Sequence, residues 1–455
     1  MSTDLEERLR RALREDAERT PAPPLPPPDL RRRVRRRVSL RAGASLLTVA
    51  LVATAAVVAV RQTGHETPRP PAGTAPCTTW TAVDAPAADP GQFDTYLHSV
   101  AAPAADEALA VGIHRVPGEG GDSFLELQRW DGSAWSRLPA PRPLDYGEGP
   151  SLYAVAAVAP DDAFAVGLTN VERGGIPLVL HWDRANWFLS AVDPSGQPES
   201  HLFGVTALGP DDVWAVGGWA WPGRMHGGGL VTHWGGTQWT TTALPITERL
   251  PGERANPYDI LNGVAGSSGA DVWAVGVQTD VPVTFQRTLV EHWDGVSWER
   301  VPSPSVEQPG GGGPVDSSLA AVTAISPDDA WAVGSWRPAW DEAIALPEPL
   351  ALHWDGTEWT RVPVPDLRWG GTLTGIAAQG PDDVWAVGSA PKDSPAEGGS
   401  PLLLHWDGSA WSRVDAPVQT PGGLQAVTAI PGGGMWAVGA QDDGARARPL
   451  VLRCS

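Results

Sequence analysis

Lysine is nearly missing: the 455-residue chain carries 32 Arg and a single lysine, Lys392. Cysteine is almost as scarce. Cys77 and Cys454 stand alone, too few for a disulfide-dense scaffold or a cysteine-based zinc site. Phe (6) and Tyr (4) are few beside 23 Trp, so something in the architecture must be placing indoles. Positive charge runs short after residue 61. From there on 20 basic groups face 46 acidic ones, a balance of −26 that repels phosphate backbones and argues against nucleic-acid binding by the main body. No G-x-S-x-G, HExxH, P-loop or dinucleotide fingerprint is present, so no catalytic residue is assigned and no cofactor or metal is expected. What the chain does have is 52 Gly and 46 Pro, too many for an all-helical protein. Its 42% apolar residues are enough for a core and exclude wholesale disorder.

The arginine-for-lysine usage is that of a high-GC bacterial genome. Residues 1–41 read as a cytoplasmic tail. Thr3 and Glu6 form a capping box, and Leu5, Leu9 and Leu13 share one helical stripe over 3–19. TPAPPLPPP (20–28) then breaks the helix into a stiff spacer. The helix could dock a cytoplasmic partner, whereas the preferred reading is a solvated tail. Residues 42–60, AGASLLTVALVATAAVVAV, hold no charge and span about 28 Å as a helix, close to the hydrocarbon thickness of a bilayer. Seven Arg lie in the eleven residues before this run, and Arg61 alone directly follows it. The positive-inside rule therefore places the N-terminus in the cytoplasm and the rest outside, on a single-pass plasma-membrane anchor. A cleaved signal peptide is the rival reading, and it needs an n-region of some forty residues, far beyond the usual. A linker, 61–76, leads to the main domain, 77–455.

That domain is one unit written seven times. PDDVWAVG (210–217) recurs as PDDAFAVG (160–167), ADVWAVG (270–276), PDDAWAVG (327–334), PDDVWAVG (381–388) and GGMWAVG (433–439), with a weaker DEALAVG at 106–112. A second motif alternates with it, as in LHWDGTEW (352–359) and LHWDGSAW (404–411). Each unit parses into four short strands. In the fifth, SLAAVTAIS (318–326) is strand A, WAVGS strand B, PLALHW strand C and EWTRVPVP strand D, with PDD and Asp-Gly as the tight turns. Four-stranded units at a period of 50–59 residues predict an all-β, seven-bladed β-propeller. Eighteen of the 23 Trp occupy repeat positions, where flat rings fill the wedge between neighbouring sheets.

The last unit stops at Ser455 without a strand D, while WTAVDAP (80–86) matches WSRVDAP (411–417) of the unit before it. The N-terminal strand is thus expected to complete the seventh blade. Cys454 would end its strand C and Cys77 would begin its strand D, so a disulfide replaces the missing turn. Closing that loop contributes roughly 5–6 kcal/mol in the chain-entropy model, as an upper figure.

At DDVWAVG…HWDGxxW the chain resembles the Trp-rich propeller repeats of bacterial secreted proteins, and more loosely kelch, tectonin and WD-repeat propellers. The resemblance covers 77–455 and implies the fold; propellers host lectins, scaffolds, sensors and enzymes alike. The kelch double glycine is irregular here. WDGSAW only approximates the sialidase Asp-box, and both cysteines are committed elsewhere than in a copper-oxidase crosslink.

The repeated histidines (His181, His233, His292, His353, His405) and aspartates (Asp162, Asp212, Asp271, Asp329, Asp383) are read as structural, because they recur in most units. The aspartates are expected to accept backbone N–H bonds in the turns, and the histidines to pack or bond between blades. Function is expected where the units differ, in the B–C and D–A loops on the face opposite the uniform turns. Five off-pattern indoles fall there: Trp219, Trp221, Trp336, Trp340 and Trp369. Around them stand Arg224, His226, Arg337, Asp341, Arg368, Tyr146 and Tyr258, with Asp145, Arg249, Arg254, Asp259 and Glu342 nearby. Such a set suits a glycan or a protein partner. The preferred reading is a membrane-anchored recognition module. The alternatives are a structural or sensory ectodomain signalling through the tail, and a glycan hydrolase or lyase.

Overall fold

The structure is a computed structural model. It describes residues 77, 79–89, 91–118, 122–141, 149–171, 174–194, 196–197, 199–220, 227–244, 256–281, 285–306, 315–337, 346–391, 394 and 398–455. All of them belong to a compact unit, Thr74–Ser455. The tail, the apolar run 42–60 and the linker lie outside the described residues. Among the described residues no helix is long and apolar enough to cross a membrane.

The described residues form seven four-stranded antiparallel units. Their inner strands (A) are Asp94–Ala104, Ser151–Ala159, Glu199–Gly209, Asn256–Ser268, Asp316–Ser326, Thr372–Gly380 and Gly422–Ala429. Each inner strand contacts the next, and the last contacts the first, so the sheets close into the ring of a β-propeller. In the fifth unit strands B, C and D are Asp329–Arg337, Glu348–Trp354 and Trp359–Arg361. Strand D is shorter than the expected 358–365. The Val362 N–H still reaches the Ala351 carbonyl at 3.0 Å, but Pro363 and Pro365 have no N–H to continue the ladder. The third and fourth units are further joined by a parallel bridge between Gly227 and Tyr258.

Every inner strand carries a register shift beside a buried leucine, as at Leu97/Ser99, Leu202/Gly204 and Leu319/Ala321. The skipped residue drops out of its own ladder and can reach the next unit. His98, Asn262 and Thr374 bond in this way to the carbonyls of Leu152, Leu319 and Leu424, each at 2.8 Å. The same irregularity explains the repeated glycine of strand B. A Cβ on Gly334 would lie 2.0 Å from the Ser318 carbonyl oxygen, and one on Gly217 1.8 Å from that of His201, so only glycine fits.

The seams between units are filled by indoles, as expected. Trp331 of one strand B meets Trp406 and Trp411 of the next unit at 4.8 and 5.3 Å. Trp273 meets Trp354 and Trp359 at 4.9 and 5.2 Å. Trp436 meets Trp130 and Trp135 of the first unit at 5.2 and 5.4 Å. Strand Trp80–Ala82 pairs with Ala447–Cys454, with Trp80 opposite Cys454, and completes the last sheet. Cys77 and Cys454 are joined by a disulfide with their Cα atoms 5.6 Å apart.

Candidate functional site

One face of the ring is built from near-identical turns. Asp131, Asp355 and Asp407, which follow the strand-C tryptophan, each accept the N–H groups two and three residues ahead at 2.9–3.0 Å. Their carboxyls are held down at about 2. The leading cause is the Ala134 N–H for Asp131 and the Thr357 and Ser409 hydroxyls for the other two.

The repeated aspartates of strand B do something other than the expected turn capping. Asp162, Asp212, Asp271, Asp329 and Asp383 bond the Nε2 of His181, His233, His292, His353 and His405 at 2.7–2.9 Å. These pairs lie within one unit rather than between blades, because the histidine is directly cross-strand from the aromatic two residues past the aspartate. His233 accordingly stacks on Trp214 at 4.1 Å. In the first unit Arg129 and Glu107 replace the pair, 2.9 Å apart. A single carboxylate per histidine, repeated around the ring, ties strand B to strand C. Among the described residues no cluster of three His, Cys, Asp or Glu side chains could hold a metal ion.

The opposite face differs from unit to unit, and the structure divides the candidate residues there. Trp219 is not a loop residue: it lies in strand Asp212–Ala220 and is 5% exposed, packed with Phe164, Val166 and Leu230. Asp259 is likewise buried, its carboxylate 2.7 Å from Arg300. Tyr258 is half-buried over Gly227, and burial, with Glu199 adding to it, pushes its hydroxyl above the ordinary value. Arg368 stacks over Trp369 at 5.0 Å. Trp221, Arg224, His226, Trp340, Asp341 and Tyr146 lie outside the described residues, as do Asp145, Arg249, Arg254 and Glu342.

Trp336 and Arg337 are brought together with groups that the sequence did not single out. They line a cavity of about 360 Å³ between the fourth and fifth units, with Thr279, Gln286, Asp316, Ser318, Ser335 and Pro347. Trp336 is half-buried and Arg337 exposed. The Arg361 guanidinium sits 5.4 Å from the Trp336 ring, and Asp316 Oδ1 accepts the Gln286 N–H at 2.9 Å. The cavity thus offers an aromatic surface, an exposed guanidinium, a primary amide and hydroxyls. That combination suits stacking on a ring and bonding to hydroxyl, amide or carboxylate groups. Gln286 and Asp316 carry no repeat signature; what marks them is their place at the starts of strands Phe285–Trp293 and Asp316–Ser326.

No protein-family model and no curated protein sequence matches the chain. Among solved structures it is similar to YCF48 bound to D1 peptide, at 15% identity over 84% of this chain and 99% of that one, TM-score 0.48. It is also similar to a PL25 ulvan lyase, at 9% identity over 76% of this chain and 89% of that one, TM-score 0.48. A third is the WD40 β-propeller domain of Doa1, at 11% identity over 80% of this chain and 96% of that one, TM-score 0.42. None of these likenesses bears on what this chain binds.

Proposed function

We propose that the chain is a membrane-anchored, extracytoplasmic recognition module that holds an envelope glycan on the variable face of its propeller. The observation that carries this reading is the cavity where Trp336, Arg337, Gln286 and Asp316 converge. An indole beside an arginine, an amide and hydroxyls fits a sugar ring, whose apolar face stacks while its hydroxyls bond. The uncharged run 42–60 with its Arg-rich flank supports the anchor and the outward orientation. A protein partner on the same face is the alternative.

Binding of the full chain in detergent micelles to an array of bacterial envelope glycans tests this. Retention of a glycan by the wild type, weakened about tenfold or more in Trp336→Ala, is the expected result. An array without a single retained glycan overturns the glycan reading and leaves the protein partner.

A further inference from the structure

Two of the seven units share a feature that the other five do not. Three residues before its bulge leucine, the inner strand of the first unit carries Asp94 and that of the fifth carries Asp316. The same position holds Gly149, Glu199, Tyr258, Gly370 and Pro421 in the other units. Both aspartates do the same thing. Asp94 Oδ1 accepts the N–H of Ala447 at 3.1 Å, and Asp316 Oδ1 accepts that of Gln286 at 2.9 Å. Ala447 and Gln286 open strand C or follow its first residue in the preceding unit, each opposite the third residue after the repeated glycine, Asp442 and Thr279. Directly cross-strand from each aspartate is an exposed arginine: Asp94 faces Arg115, and Asp316 faces Arg337.

A notch lies at both places. The one at Asp316 has a volume of about 360 Å³ and the one at Asp94 about 400 Å³. Each combines an aromatic ring, an amide and an arginine: Trp336, Gln286 and Arg337 in one, and Tyr96, Gln441 and Arg446 in the other. Arg115 lies over the Tyr96 ring at 5.2 Å. By position the notches sit at the starts of inner strands, hence on the same variable face, three units apart one way round the ring and four the other.

We infer that these are two equivalent subsites that together hold a linear glycan whose repeating unit carries a carboxylate or acetamido group. This rests on the glycan reading above. Equivalent chemistry at two separated places on one face matches a ligand that repeats. The arginine suits a carboxylate, the amide an acetamido group and the ring a sugar face. The aspartate is spent on fixing the preceding strand, so it holds the notch open rather than meeting the ligand. Simultaneous occupancy makes the second contact intramolecular, which raises affinity for a long strand over a single unit by on the order of 10²–10⁴.

Calorimetry on the full chain in detergent micelles tests this with peptidoglycan glycan strands, used as the single N-acetylated disaccharide and as strands of many repeats. The expected result is two disaccharides per chain, and a long strand held more tightly by on the order of 10²–10⁴. Arg446→Ala and Arg337→Ala, one in each notch, should each leave one disaccharide per chain and bring strand affinity down to the disaccharide's. The double variant should bind neither. One disaccharide per wild-type chain, or an Arg446→Ala variant that holds the strand undiminished, overturns the two-subsite inference and leaves the Trp336 cavity as the recognition site. Failure of the wild type to bind either probe, while the array retains another glycan, overturns the inferred repeat chemistry. Failure on both overturns the glycan reading itself.

Discussion

The indole of Trp80 stands edge-on to that of Trp385, ring centroids 5.3 Å apart and planes at 71°. The same arrangement recurs where no chain end is involved. Trp411 meets Trp331 at 5.3 Å and 88°, and Trp359 meets Trp273 at 5.2 Å and 85°. The first described strand of the domain therefore occupies a strand-D place, in a seam where Cys454 stands opposite Trp80 at the position of the strand-C tryptophan of the other units.

From this follows a prediction about stability. Trp80 is 6% exposed and Trp411 also 6%, and truncating a buried tryptophan costs about 3–5 kcal/mol. Trp80→Ala and Trp411→Ala should therefore lower the free energy of unfolding by similar amounts in urea titrations. A cost for Trp80→Ala well under half that of Trp411→Ala would show that the N-terminal strand is not integral to the ring.

The disulfide acts on the same closure. Cys77 and Cys454 are separated by 377 residues, a loop for which the chain-entropy model gives roughly 5–6 kcal/mol at most. Strand Trp80–Ala82 is also held by its own backbone pairing with Ala447–Cys454, which does not pass through the bond. Cys77→Ser should thus lower the melting temperature yet leave the far-ultraviolet spectrum of a folded β protein. Peptide mapping without reductant should recover the linked pair from the wild type.

Acid stability is expected to carry the mark of the strand C–D turns. In Asp131, Asp355 and Asp407 the folded carboxyl titrates at about 2, below the ordinary value near 3.9. A depressed value means that the stabilisation is present above the unfolded value and is lost as the pH falls through the folded one. Stability from these turns should therefore hold down to about pH 4 and decline between about pH 4 and 2. Replacing the three with Asn should flatten that limb in pH-dependent melts while changing little at neutral pH.

Much of this architecture could be read from the residues in order. The 50–59-residue period, the Asp-Gly hairpins and the match of WTAVDAP to WSRVDAP are local patterns, and each maps onto local backbone geometry. Side-chain partners were less legible. The strand-B aspartates sit beside turns, yet they bond histidines about twenty residues away because antiparallel pairing brings strands B and C together. The site was harder still. Trp219 and Trp336 stand at the same register, two residues after the repeated glycine. Their burial differs because different neighbouring units cover them, and no local pattern records that. The notch at Asp94 went unread for a similar reason. Its parts come from both ends of the domain.

The last prediction separates those two indoles. Trp219 is packed among Phe164, Val166 and Trp239 at 5% exposure, so Trp219→Ala should cost about 3–5 kcal/mol of stability. Trp336 is half-buried, with one side toward the cavity it shares with Arg337 and the Arg361 guanidinium near its ring. Its truncation removes less buried surface and should cost clearly less, while weakening glycan retention about tenfold or more, as loss of a central aromatic anchor does. Unfolding titrations and binding measured on the same two variants decide the matter. Should Trp336→Ala destabilise as much as Trp219→Ala and bind as the wild type does, the ring is a seam filler like the repeat indoles, and the recognition surface must be sought elsewhere on the variable face. The converse pattern, with Trp219→Ala weakened in stability alone, follows from a register that is the same in both units and from neighbours that are not.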